Sequence, residues 1–144
     1  MIVLDTNVVT ETYKASPDAG VMTWLESVTG TAITAVTAGE ILAGIKILPP
    51  GRRRSTLLAD TLATIDEYEA AGLVLPFDAA AADHYGDVVA SRRRAGRPIK
   101  IADAQIAAVC RSAGAVVATR NVADFEECGI TAIINPWDLP GAMP

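Results

Sequence analysis

The chain opens with Met1-Ile2-Val3-Leu4-Asp5-Thr6-Asn7, a short apolar segment followed by an acid and two polar residues. Ile2–Leu4 is a short, uninterrupted apolar run rich in β-branched residues, which is typical of a buried strand. The run ends at Asp5, and in open parallel sheets ligands bind beyond the carboxyl ends of the strands. The opening residues therefore predict a buried strand and place an acid where such a fold keeps its site.

Strand and helix patterns alternate through the rest of the chain. Alternation of this kind predicts an α/β fold, in which a central parallel sheet carries helices on both faces. No linker, repeat or low-complexity segment interrupts it, so we expect a single domain over residues 1–144. Further strands are predicted at residues 31–35, 73–77, 115–119 and 132–134, and helices at 17–30, 41–48, 52–71, 79–95 and 101–113.

The composition fits a folded domain of this size. Of the 144 residues, 51% are hydrophobic and 20% are charged, which excludes a disordered chain. No apolar run approaches the roughly 18 residues of a membrane span. Asp5 also interrupts the apolar start that a signal peptide would need. We therefore expect a cytoplasmic protein that does not contact a membrane.

Two cysteines and a single histidine limit the chemistry that is available. Without a CxxC motif, and with His84 as the one imidazole, the chain cannot build a zinc site. The same histidine leaves little room for a Ser-His-Asp or Cys-His triad. Carboxylates are therefore the candidates for catalysis.

Four acids from distant segments are predicted to meet at one edge of the sheet. Asp5 ends the first strand, Glu40 lies in the first turn of the helix after the second, Asp103 opens the helix before the fourth, and Asp124 lies just beyond the fourth. Two carboxylates about 4 Å apart repel by roughly 4 kcal/mol at an effective dielectric of about 20, so such a cluster needs protons or a cation. Oxygen ligands suit Mg²⁺ or Mn²⁺, which can activate water and clamp the oxygens of a phosphodiester.

Five segments resemble the motifs of PIN-domain ribonucleases, in order and at the family's spacing, over nearly the whole chain. The last of them is also similar to the VapC/FitB branch, which contains toxins of type II toxin–antitoxin pairs. The segments are Met1-Ile-Val-Leu-Asp5-Thr6-Asn7, Thr37-Ala-Gly-Glu40-Ile-Leu-Ala-Gly44, Ile101-Ala-Asp103-Ala-Gln-Ile-Ala-Ala108, Ala118-Thr119-Arg120-Asn121-Val-Ala-Asp124-Phe125 and Ile134-Asn135-Pro136-Trp137.

The resemblance implies an Mg²⁺-dependent endoribonuclease toxin that cleaves RNA phosphodiesters with a metal-activated water. It implies Asp5 and Asp103 as the principal metal ligands, with Glu40 and Asp124 completing the catalytic acids. It also implies a homodimer within a larger complex, and a small antitoxin with a DNA-binding domain that blocks the site. The chain departs from many relatives directly after Thr-Arg, where Asn121 replaces an aspartate and Asp124 is the expected substitute.

Polar and basic residues around these motifs are candidates for supporting roles. Two arginine clusters, at residues 52–54 and 92–97, hold seven of the twelve basic residues, although the net charge is −5. The candidates for supporting the acids are Thr6, Asn7, Thr119 and Asn121, and the candidates for contacting RNA phosphates are Arg92, Arg93, Arg94, Arg97 and Arg120.

Each acid also has a purely structural interpretation. Asp5 can cap the helix that follows it. Thr37-x-x-Glu40 has the pattern of a capping box, which requires a glutamate for local reasons. Asp103 can complement a helix dipole. At this point the residues alone leave both interpretations open.

Two other functions share parts of the pattern. A phosphatase of the haloacid-dehalogenase type also places an aspartate nucleophile after its first strand, but it needs a second aspartate where this chain has Asn7. A PIN-fold module that binds without catalysis stays open because of Asn121. If the acids do hold a metal, replacing Asp5 or Asp103 with Asn should abolish cleavage and leave the metal-free fold intact or more stable.

Overall fold

A computed structural model describes residues 1–139, so the predicted end of the domain at residue 144 lies outside the described residues. Its five strands are β1 (Ile2–Leu4), β2 (Thr31–Thr34), β3 (Val74–Leu75), β4 (Val116–Ala118) and β5 (Ile133–Ile134). They form one parallel sheet in the order β3-β2-β1-β4-β5. The predicted parallel sheet is confirmed, with the first strand of the chain at its centre.

Seven helices connect and cover the strands within residues 1–139. Five of them correspond to the predicted helices. The helix predicted at 41–48 begins six residues earlier, at Ala35, and the other ends differ by at most three residues. Two short helices were not predicted, because six and four residues are too few for a helical period to show in a sequence. The helices are α1 (Thr6–Glu11), α2 (Ala19–Ser27), α3 (Ala35–Lys46), α4 (Arg52–Ala70), α5 (Ala79–Arg94), α6 (Ile101–Ala113) and α7 (Val122–Phe125).

Side chains that cap the first turn determine where three of the helices begin. Asp18, Thr34 and Asp78 each accept a hydrogen bond of 3.0 Å from the backbone N–H three residues further on. This bond satisfies one of the N–H groups that the first turn leaves unpaired. Thr34 is also the last residue of β2, so α3 follows this strand without a loop.

The sheet separates two hydrophobic clusters. Val3 belongs to one, with residues of α5, α6 and α7, whereas Leu4 belongs to the other, with residues of α1 and α3 and, at its margin, α2 and α4. Neighbouring residues of a strand point to opposite faces, so each face of β1 is buried by a different set of helices. Helices on both faces of the sheet are thereby confirmed. None of the helices in the described part of the chain is long and apolar enough to cross a membrane.

Gly114 ends α6 in the left-handed conformation, with a φ of +60°. A Cβ at this position would meet nothing within 4 Å, so Gly114→Ala tests backbone strain alone. We expect the substitution to lower the free energy of unfolding by about 1–2 kcal/mol, measured by urea denaturation. Gly86→Ala, in the interior of α5, should instead raise it by about 0.5–1 kcal/mol. Equal stability of the Gly114 variant and the parent would contradict the left-handed conformation of Gly114.

Candidate acidic active site

Asp5 lies at the carboxyl end of β1 and is 4% exposed. Its Oδ1 accepts a hydrogen bond from the backbone N–H of Thr6 at 2.8 Å. Its Oδ2 accepts one from the hydroxyl of Thr119 at 2.7 Å and one from the side-chain amide of Asn7 at 2.8 Å. Asp5 is also the N-cap residue of α1. The capping interpretation is therefore correct, and the same contacts hold the carboxylate in one orientation.

The residues around Asp5 form a network that joins β1 to the segment after β4. The amide nitrogen of Asn7 also donates to the hydroxyl of Thr119, at 3.2 Å, and its Oδ1 accepts from the backbone N–H of Arg120, at 3.1 Å. The hydroxyl of Thr119 in turn accepts from the backbone N–H of Asn121, at 3.0 Å. The structure thus brings together the four residues predicted to support the acids, with Asn121 contributing through its backbone.

Glu40 lies in the second turn of α3, not in the first turn as predicted, because α3 begins directly after its N-cap residue Thr34. The proposed capping box of Thr37 with Glu40 is therefore wrong, since the backbone N–H of Thr37 itself donates to Thr34. The exposed side chain of Glu40 instead accepts a hydrogen bond from the hydroxyl of Thr6, at 2.8 Å. Through Thr6, Glu40 lies beside Asp5.

Asp103 lies half-buried in the first turn of α6, as predicted. Its pKa is raised from 3.8 to about 6, by burial first and then by the charges of Asp5, Asp124 and Glu40, against the opposing charge of Lys100. The other three predicted acids are therefore within electrostatic reach of Asp103. The pKa of Asp5 is raised as well, by burial first and then by Glu40, against the hydrogen bonds that it accepts.

No basic side chain forms an ion pair with these acids within residues 1–139. The ion pairs of this part of the chain are Lys14 with Glu11, Arg97 with Glu126, and Arg111 with Asp87, and none includes a site acid. Over the same residues, no three His, Cys, Asp or Glu side chains are close enough to form a ready-made metal site. The site is an open group of acids whose charges repel one another.

A groove of about 1000 Å³ begins at Thr6 and Glu40 and runs between α1, α3 and α4. Its walls combine apolar side chains with three cations, so it suits an extended, amphipathic chain. The sequence did not predict this groove, because three helices from separate segments form it. Its apolar lining includes Ile41, Ile45 and Leu57, and its cations are Lys14, Arg52 and Arg53.

The comparisons with known proteins agree with this architecture. The model of the PIN domain family matches residues 2–129. The chain belongs to the PIN-domain family. This PIN domain is 40% identical to VapC ribonuclease Y4jK of Sinorhizobium fredii, over 96% of this chain and 99% of that protein.

Two further matches place the PIN domain in the VapC/FitB branch, as its motifs indicate. Toxin FitB of Neisseria gonorrhoeae is 32% identical over 95% of this chain and 99% of its own length. Among solved structures, FitAB bound to the IR36 DNA fragment matches with a TM-score of 0.89 and 32% identity, over 97% of this chain and 98% of that chain. The resemblance in sequence and the parallel α/β fold are both confirmed.

Arg92 is not available to RNA, and its predicted phosphate contact is wrong. The side chain is 4% exposed. Its guanidinium donates to the backbone carbonyls of Arg97 at 2.7 Å, Ala123 at 2.8 Å and Glu126 at 2.9 Å. These bonds tie the end of α5 to α7, the short helix that carries Asp124. In this PIN domain Arg92 therefore fixes the segment on which the fourth acid lies.

The other arginines of the predicted set divide into two groups. Arg97 contacts the same segment, through the carboxylate of Glu126 at 2.9 Å and the carbonyl of Ala123 at 3.1 Å. Arg93, Arg94 and Arg120 are exposed, and their phosphate contacts stay predictions. Helical spacing could have singled out Arg92, because it lies four residues after the fully buried Val88 and thus on the same face of α5.

We expect Arg92→Met to lower the free energy of unfolding by about 2–3 kcal/mol, because it leaves buried carbonyl oxygens without donors. Arg93→Met, one residue along the same helix but exposed, should change stability by less than about 0.5 kcal/mol. Urea denaturation of both variants measures the difference. Similar stabilities for the two would show that the buried hydrogen bonds contribute little.

The stability of the metal-free domain should fall as the pH rises from about 4 to 6. The folded state holds the proton of Asp103 up to a pKa of about 6, whereas the unfolded state releases it near 3.8, so the unfolded state binds fewer protons in this range. Asp103→Asn should flatten this dependence, as followed by thermal unfolding at pH 4.5 and pH 7 in EDTA. Asp66→Asn, at an exposed position of α4, controls for the loss of any carboxylate. An unchanged slope in the Asp103 variant would contradict the shared acidic field.

Proposed function

We propose that this PIN domain is an Mg²⁺- or Mn²⁺-dependent endoribonuclease and the toxin of a type II toxin–antitoxin pair. The observation that carries the proposal is the group of four acids at the carboxyl edge of the sheet, none of which forms an ion pair within residues 1–139. The similarity of this chain, over nearly its full length, to a protein named as a VapC ribonuclease supports RNA cleavage as the reaction.

The donor set fits a hard divalent cation. Mg²⁺ keeps several waters and is commonly bound by one or two carboxylates, so Asp5 and Asp103 suffice without a cluster of three. A carboxylate has about four lone-pair positions, and three of those on Asp5 accept hydrogen bonds. The position left over is on Oδ1. We therefore assign Oδ1 of Asp5 and the carboxylate of Asp103 as the metal ligands.

Such a cation supplies an activated water and neutralises charge on the oxygens of the phosphodiester. The residues of the chain prepare the site for that chemistry. Thr6, Asn7 and Thr119 orient Asp5, and their hydrogen bonds oppose the rise in its pKa that burial causes. Glu40, held by the hydroxyl of Thr6, is placed to orient water at the edge of the site. No covalent intermediate with the protein is required.

Asp124 is the fourth acid in this proposal, and Asn121 is not. Asp124 lies in the first turn of α7, and its charge contributes to the raised pKa of Asp103, which supports its place in the acidic site. Asn121 is exposed, and it contributes its backbone N–H to Thr119. The change from aspartate to asparagine at position 121 therefore leaves the acidic set at four.

An antitoxin is the partner that the groove between α1, α3 and α4 suits. Glu40 and Thr6 lie on its wall, so a polypeptide in the groove would reach the site and close it to RNA. The lining combines apolar side chains with Arg52, Arg53 and Lys14, which pairs with Glu11, and with the acids Glu40 and Asp60. Such a lining suits a partner segment with both apolar and charged side chains. The similar FitAB structure, which is bound to DNA, supports a partner of the toxin–antitoxin kind. The homodimer stays a prediction.

Asp103→Asn should lower RNA cleavage by about 100-fold or more, because it removes a metal ligand while keeping the shape of the side chain. Asp5→Asn is less clean than the sequence indicated, since its amide would face three hydrogen-bond donors. The assay is cleavage of total bacterial RNA by the purified chain, freed of antitoxin, with Mg²⁺, Mn²⁺ or EDTA. Asp66→Asn is the control and should cleave like the parent.

The outcomes separate the nuclease from a PIN-fold module that binds without catalysis. Fragments that form with Mg²⁺ or Mn²⁺, and are lost with EDTA and in the Asp103 variant, would support the nuclease. Full activity in the Asp103 variant would remove the proposed mechanism. If the parent neither cleaves RNA nor binds Mg²⁺ by calorimetry, the non-catalytic module is the better description.

A further inference from the structure

Arg120 lies at the rim of the acidic site, and the residues that orient Asp5 also hold its backbone. It directly follows Thr119, whose hydroxyl donates to Asp5. Its backbone N–H donates to the Oδ1 of Asn7, and the nitrogen of the same amide donates to Asp5. The peptide bond to Thr119 and the hydrogen bond to Asn7 therefore fix the main chain of Arg120 relative to the site.

Trp137 holds the side chain of Arg120. The guanidinium carbon lies over the indole, 5.2 Å from the ring centre, within the range of a cation–π interaction. Trp137 is itself fixed, because its backbone N–H donates to the Oδ1 of Asn135 at 3.1 Å and its ring packs on the hydrophobic cluster that contains Leu4. A guanidinium that stacks by its face keeps its N–H groups at the edge free for a ligand.

Those N–H groups have no other partner within residues 1–139. No side-chain hydrogen bond or ion pair of Arg120 occurs in this part of the chain, although the residue is exposed. Arg92 and Arg97 differ, since their N–H groups are taken by backbone carbonyls and by Glu126. Arg120 therefore combines a fixed position with unused donors.

The negative charge of the acids disfavours RNA binding unless a cationic side chain lies beside them. A phosphate that approaches four carboxylates meets a repulsive potential, and the net charge of −5 adds to it. A divalent cation offsets this repulsion at the phosphate that is cleaved, but not at the neighbouring ones. An arginine suits that second position, because its planar N–H groups can donate to two oxygens of one phosphate.

We propose that Arg120 binds an RNA phosphate next to the scissile one, and that Trp137 is a positioning residue that holds the guanidinium of Arg120. The inference rests on the proposed function, because it presumes that RNA enters the acidic site. It adds a substrate contact to the acids, and it gives the segment after β5 a role in binding RNA.

The first experiment measures binding without cleavage. The Asp103→Asn protein is titrated in EDTA into a short fluorescein-labelled single-stranded RNA, and anisotropy is followed at several salt concentrations. In this background Arg120→Ala should raise Kd about 10-fold at low salt. It should also reduce the slope of log K against log salt by about 0.7, the value for one phosphate of a single strand. Lys46→Ala, which removes an exposed cation at the end of α3, should change neither.

Arg120→Lys distinguishes charge from geometry. It should keep most of the salt slope but raise Kd about threefold, because an ammonium group cannot stack and donate in a plane as a guanidinium does. In a Mg²⁺-containing assay of the otherwise native chain, Arg120→Ala should raise KM more than it lowers kcat. The contact is to a neighbouring phosphate, so it is made in both the ground state and the transition state.

The role of Trp137 is tested by a double-mutant cycle with Arg120. Trp137→Leu should weaken RNA binding about threefold when Arg120 is present, and have little further effect in the Arg120→Ala protein. Trp137→Phe, which keeps a ring, should restore most of the loss. A merely structural role would lower the unfolding midpoint and weaken binding equally in both backgrounds, which would overturn the assignment.

The possible failures are distinguishable. If the Asp103→Asn protein binds RNA and Arg120→Ala leaves Kd and the salt slope unchanged, the inference is overturned while the proposed function stands. If Arg120→Ala weakens binding as expected but the parent does not cleave, Arg120 still binds an RNA phosphate, whereas the nuclease proposal and the position next to a scissile phosphate both fail. Absence of RNA binding by the parent and the Asp103→Asn protein would overturn the inference.

Discussion

The hydrogen bonds to the buried carboxylate of Asp5 are the interaction on which the rest of the structure depends. A carboxylate that is 4% exposed would be costly without partners, and three donors from Thr6, Asn7 and Thr119 compensate it. The same bonds start α1 and join the ends of β1 and β4. Burial nevertheless keeps the pKa of Asp5 above its ordinary value. Asp5 therefore contributes both to the stability of the fold and to the charge of the acidic site.

The arginines of this chain differ in what their N–H groups contact. The buried Arg92 and the partly exposed Arg97 donate to carbonyl oxygens of the segment that carries Asp124. Arg120 faces outward beside the acids, stacked on Trp137. Residues of one type thus have opposite roles, according to whether their N–H groups are taken by the protein or left for a ligand.

The parallel sheet and the predicted positions of the acids followed from local patterns. Short apolar runs indicated the strands. The positions of Asp5 at the end of a strand and Asp103 at the start of a helix followed from their neighbours in the sequence. Glu40 was placed one turn too early, because the sequence did not show that Thr34 both ends β2 and caps α3. The helices α1 and α7 were missed because they are too short to display a period.

The sequence by itself determined the alternation of strands and helices, the family and the acids at the strand ends, because these depend on neighbours along the chain. Tertiary structure alone decided which hydroxyl orients Asp5, that Glu40 contacts Thr6, that Arg92 is buried, and that α1, α3 and α4 enclose a groove. The physical reason is distance along the chain. Thr119 and Asp5 are 114 residues apart in sequence, and only the pairing of β1 with β4 brings them within hydrogen-bonding reach.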